Sequence, residues 1–101
     1  MLDKAKQLYQ LQKKAKEVQK TLKNTEIEAR SADSMVSAVF SGDQKIKSID
    51  IDQSLLAPEK KKELEEKLIR VISEGLSRSQ AVAAEKAKSL MGDMGMNIPG
   101  L

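Results

Sequence analysis

The chain has 101 residues, a formal net charge of +3 and 40% hydrophobic residues, with no Cys, His or Trp. Disulfides, thiolate metal sites and cysteine nucleophiles are thereby excluded, and the commonest general base is missing. The length suits one domain, the aromatic residues are Tyr9 and Phe40 alone, and no apolar run approaches the about 18 residues that span a membrane, so the expectation is a soluble cytoplasmic chain.

Residues 1–24 contain no Gly or Pro and are rich in Lys, Gln, Leu and Ala, all good helix formers. Leu8, Leu11, Ala15, Val18 and Leu22 are spaced 3, 4, 3, 4, the seam of a helix packed lengthwise on another. Lys6, Lys13, Lys16, Lys20 and Lys23 form a second, cationic stripe on the other side. This helix is the basic end of the molecule: residues 1–24 carry +5, residues 25–57 carry −3 and the remainder +1.

A short strand is predicted from Thr25 to Ala32, with Ile27 and Ala29 on one side. Ser31 to Ser34 reads as a turn. Val36, Ala38 and Phe40 alternate along a second strand, Ser41-Gly42-Asp43 turns, and Lys45 to Asp52 is a third. Ile46 has the opposite parity to Ile49 and Ile51, which a bulge or a sheet covered on both faces would explain. Leu55 and Leu56 are expected to dip into the core.

Pro58 and Glu59 suit the start of a helix reaching to about Met91. Its seam is Leu64, Leu68, Val71, Ile72, Leu76, Ala83, Ala87 and Leu90, widened by Ile69. Glu63–Lys67, Glu66–Arg70 and Glu74–Arg78 have the spacing of i,i+4 ion pairs. Gly75 inside this helix is expected to admit another backbone closely. Residues 1–91 read as one domain, and Gly92 to Leu101 as a flexible tail. Met91, Met94 and Met96 read as part of that tail or as an adaptable contact patch.

The second helix would be about 50 Å long and the first about 36 Å, whereas a compact domain of this size has a radius of gyration near 13 Å. The long helix must overhang its own domain, so a two-fold homodimer is predicted.

No phosphate loop, zinc-protease motif, Cys pair or catalytic triad is present, and nothing calls for a metal or cofactor. Asp50 and Asp52 are a carboxylate pair without a pocket and read as a solvent-facing strand edge. Lys60-Lys61-Lys62 is offset by neighbouring Glu residues. The lysine stripe has two readings. One is a solvated outer face. The other is a phosphate-tracking surface about 25 Å long, which would favour duplex DNA with weak sequence preference and strong salt dependence. A membrane-surface helix is the weaker alternative, since the apolar side of the first helix is assigned Tyr9 but no Trp or Phe and already serves a seam.

The order of parts, with V-S-A-V-F-S-G at residues 36–42, I-K-S-I-D-I-D-Q-S-L-L at residues 46–56 and G-M-N-I-P-G at residues 95–100, resembles the YbaB/EbfC family of bacterial nucleoid-associated proteins. Gln53 stands where that family usually has Pro, and the family's Gly-rich N-terminus is missing. The resemblance implies an α+β fold: an N-terminal helix, an antiparallel sheet of about three strands and a long C-terminal helix, paired as a tweezer-like homodimer. It also implies DNA binding at the nucleoid. A dimeric module whose arms grip a protein of recombination or replication, with incidental DNA binding, is the competing reading.

Overall fold

A computed structural model describes residues 2–93. Helix α1 (Leu2–Asn24) leads into strands β1 (Glu26–Arg30), β2 (Val36–Ser41) and β3 (Ile46–Ile51). Two short 3-10 turns, Gln53–Leu55 and Pro58–Lys60, precede helix α2 (Lys61–Asp93). The sheet is antiparallel in the order β1-β2-β3. The expected α+β architecture is present. Helix α2 includes Gly92 and Asp93; the rest of the expected tail, residues 94–101 with Met94 and Met96, lies outside the described residues.

Alternation decides the faces of the sheet. Ile27, Ala29, Val36, Ala38 and Phe40 all point to one side and are buried there with Leu55 and Val71. The parity break of Ile46 is resolved by a bulge. Ser48 pairs with Val39 and Ile46 with Phe40, leaving Lys47 as the extra residue. Ile46, Ile49 and Ile51 therefore share the face of Phe40, Ala38 and Val36, their cross-strand partners.

Helix α2 covers that face only in part. It lies across β1 and β2, with Leu64, Leu68, Ile72 and Leu76 packed on the core. Three polar contacts to the rest of the chain set its placement. Lys67 Nζ bonds Asp33 in the β1–β2 turn at 2.5 Å. The same lysine lies 3.7 Å from Glu63. Arg78 donates to the Glu28 carbonyl of β1 at 2.6 Å, and buried Ser79 donates to the Ser41 carbonyl at 2.7 Å. Two residues along a helix turn by roughly 200°, so Ile69 and Leu76 lie on the flank opposite Lys67 and Arg78, the flank nearer β3. Ile69 is accordingly 65% exposed rather than part of the seam. Ile46 and Ile49 are each 46% exposed, although they lie on the core face of the sheet. The described chain thus leaves an apolar strip along β3 and the neighbouring flank of α2.

The two interior glycines work by proximity. A Cβ on Gly75 would come within 3.0 Å of three ring carbons of fully buried Phe40. The close neighbour is thus an aromatic ring and not a second backbone, as the helix pattern suggested. A Cβ on Gly42 would stand 2.9 Å from the Leu22 carbonyl, to which Gly42 N–H donates at 2.8 Å. Positive φ in the β2–β3 turn falls instead on Gln44, at 68°. The Gly42 bond anchors the C-terminal end of α1 to the hairpin and satisfies one of its last carbonyls. Thr25 Oγ1 serves another, donating to the Thr21 carbonyl at 2.6 Å. Of the Leu55-Leu56 pair, only Leu55 enters the core; Leu56 is exposed.

From the sheet, α1 and the last turns of α2 leave side by side, and the molecule measures 67 × 26 × 15 Å. Its radius of gyration, 18.9 Å, exceeds the about 13 Å of a compact chain this long. A groove between the helices is lined by Lys14, Glu17, Val18 and Thr21 of α1 and Lys86, Ser89 and Leu90 of α2. The predicted seam of α1 is covered progressively: Leu22 is buried, Val18, Ala15 and Leu11 are half-buried, and Leu8 is 61% exposed.

Candidate nucleic-acid interface

Helix α1 exists because its residues favour it; its last turn is bonded to the hairpin and it runs out from the sheet alongside the end of α2. The structure leaves Lys6, Lys13, Lys16, Lys20 and Lys23 all exposed. Among the described residues none of the five has a carboxylate within 4.0 Å, whereas Lys45, Lys47 and Lys60 each have one and Lys67 has two. The stripe is an array of unneutralised ammonium groups on a rod. Each can meet a phosphate without first breaking an intramolecular pair.

Shallow depressions follow the stripe. Lys16, Gln19, Lys20, Leu22 and Lys23 line one with Asp43 of the β2–β3 turn. Tyr9, Gln12, Lys13 and Lys16 line another. The sequence pattern suggests the apolar side of α1 for Tyr9; its true place is the cationic row. Lys6, Tyr9, Lys13, Lys16, Lys20 and Lys23 are spaced 3, 4, 3, 4, 3, and Tyr9 is 69% exposed. That spacing is present in the sequence, but residue type outweighs it there. Lys14 and Lys86, which line the interhelical groove from its two helices, also escape a reading by spacing alone.

Apart from Asp43 beside the row and Asp3 and Glu17 on α1, the acidic residues lie on other elements. Asp33 accepts from Lys67, Ser31 and the Met35 N–H, and these bonds hold its carboxyl well below the usual range. Asp52 accepts from the Ser54 N–H at 2.9 Å, capping the first 3-10 turn, and its pKa is lowered by that bond. Asp50 is exposed on β3. The aspartates that look like a pair therefore include one turn cap. No group of three or more His, Cys, Asp or Glu among the described residues is placed to hold a metal. No described helix is long and apolar enough to cross a membrane.

Comparison with known proteins bears on this arrangement. Residues 1–94 match the model of the YbaB/EbfC DNA-binding family. The chain belongs to that family. It is 35% identical over 96 residues to a nucleoid-associated protein of Afipia carboxidovorans, covering 95% of this chain and 90% of that one. A nucleoid-associated protein of Syntrophobacter fumaroxidans is 33% identical over 95 residues, with 94% and 84% covered. Among solved structures, an uncharacterized Helicobacter pylori protein, HP0035, superposes with a TM-score of 0.70 at 26% identity, covering 86% of this chain and 87% of that one. The YbaB/EbfC fold thus accounts for both helices and the sheet between them.

Proposed function

We propose that the chain is a non-enzymatic, nucleoid-associated protein of the cytoplasm that binds duplex DNA as a homodimer, with little sequence preference, through its basic helical arms. The observation that carries this reading is the unpaired row Lys6, Lys13, Lys16, Lys20 and Lys23 on a helix that projects from the sheet. From Lys6 to Lys23 the row spans about 25 Å, comparable to some seven base-pair steps of B-DNA. Lysines contact phosphate as point charges and carry little base information. Family membership and the names of the relatives support the same role.

The uncovered strip of Ile46, Ile49 and Ile69 supports pairing with a second copy. A sheet face left half-covered by its own helix is stabilised by burial under a partner's apolar surface, at about 25 cal/mol per Å². Two-fold pairing there would place two basic rods on one particle.

The test is duplex binding measured against salt. Binding should weaken steeply as salt rises, and the charge-reversed variant Lys13→Glu/Lys16→Glu/Lys20→Glu should bind all sequences more weakly. An affinity indifferent to salt and to these substitutions would exclude the stripe.

A second reading, arms gripping a protein of recombination or replication, draws on the exposed Leu8 beside Lys4, Gln7 and Leu11 at the free end of α1. Partner capture that survives nuclease treatment would favour it.

A further inference from the structure

We infer that Tyr9 is a neutral phosphate-contacting residue within the cationic row, its phenol donating a hydrogen bond to a backbone oxygen of duplex DNA. This rests on the DNA-binding reading above and adds to it a residue of different chemistry. Tyr9 occupies a position that the row's spacing would give to a lysine, between Lys6 and Lys13. It shares a surface depression with Gln12, Lys13 and Lys16, and it is 69% exposed. Among the described residues its phenol makes no hydrogen bond to another side chain or to the backbone.

The two side-chain types reach out from the helix to similar heights. A phosphate strand lying on Lys6 and Lys13 therefore passes over the Tyr9 hydroxyl. A phenol there differs from an ammonium in one measurable way. It is uncharged, so its hydrogen bond releases no counterion. It does donate to an ionised oxygen, a bond stronger than one between neutral groups. Tyr9 should therefore contribute affinity that is independent of salt, whereas each lysine contributes affinity that salt removes.

The experiment measures duplex affinity over a series of salt concentrations for the wild type, Tyr9→Phe, Tyr9→Ala and Lys13→Gln. Expected for Tyr9→Phe is a loss of roughly tenfold at every salt concentration, with the slope of log K against log salt unchanged. Tyr9→Ala should lose about as much as Tyr9→Phe. Lys13→Gln should make the slope shallower, by about 0.9 for each phosphate the chain no longer neutralises. Wild-type affinity in Tyr9→Phe would overturn the proposal while leaving the lysine row standing. Loss in Tyr9→Ala alone would also overturn it, because the ring and not the hydroxyl would then touch the DNA. A wild-type chain that does not bind duplex DNA would overturn the function reading and this proposal together. The exposed position makes unfolding of Tyr9→Phe a minor concern, and a thermal melt equal to wild type checks it.

Discussion

Substituting Gly75 separates the packing account of this fold from a simple helix-propensity account. Taken alone, Gly75→Ala in the interior of α2 should stabilise the helix by about 1 kcal/mol. The structure predicts the opposite sign. The new methyl would come within 3.0 Å of three ring carbons of Phe40, which is fully buried. Phe40 shares the buried core with Val36, Ala38 and Val71, and a close-packed interior leaves little free volume for its ring to turn into. Either α2 lifts from the sheet or the ring leaves its rotamer. Overpacking of this kind costs about 1–3 kcal/mol, and three simultaneous contacts place the cost at the upper end. The net effect is a loss of about 2 kcal/mol after the propensity gain, or a fall in Tm of roughly 10 °C for a chain this size. Circular-dichroism melts at equal protomer concentration measure it, since pairing makes Tm depend on concentration. In a Phe40→Leu background the same substitution should cost at least about 1 kcal/mol less, giving a non-additive cycle. A Gly75→Ala chain that melts above wild type would show that Phe40 does not crowd this position.

Two further outcomes follow from the turn latch and the uncovered sheet. Asp33 has a depressed pKa, so its bonds to Lys67, Ser31 and Met35 N–H stabilise the fold above the ordinary carboxylate value of about 3.9 and are lost as pH falls through the folded value. Lys67 has a raised pKa, chiefly through Asp33, so its share is present below about 10.4 and is lost as pH rises through its folded value. Asp33→Asn should flatten both limbs of a stability–pH curve, and unchanged limbs would remove the latch. Ile49→Asp changes a residue already 46% exposed, so it should spare the helical signal while weakening pairing; an unaltered mass at micromolar concentration would place the interface elsewhere.

The helices, the three strands and the inward faces of β1 and β2 are legible in the sequence because each rests on a local period. Ile27 with Ala29, and Val36 with Ala38 and Phe40, alternate as a half-buried sheet requires. The parity break at Ile46 admits a bulge or a sheet covered on both faces, and the register decides for a bulge at Lys47. Coverage is harder to read. Nothing local tells that α2 sits over β1 and β2 and stops short of β3, so the pattern puts Ile69 in the seam and Leu56 in the core, and both are exposed. Gly75 signals a close approach, but only tertiary packing shows that Phe40 makes it. At the candidate interface spacing finds the lysines, whereas Tyr9, which has that same spacing, is hidden by its residue type.

In the proposed function two copies together present the basic rods to DNA. Sedimentation of the wild-type chain at micromolar concentration, alone and with a short duplex, tests it most directly. The expected result is a particle of about 22 kDa, twice the 11.1 kDa chain, that carries the duplex at low salt and releases it as salt rises. A folded particle of 11.1 kDa holding the duplex equally well at every salt concentration would contradict it.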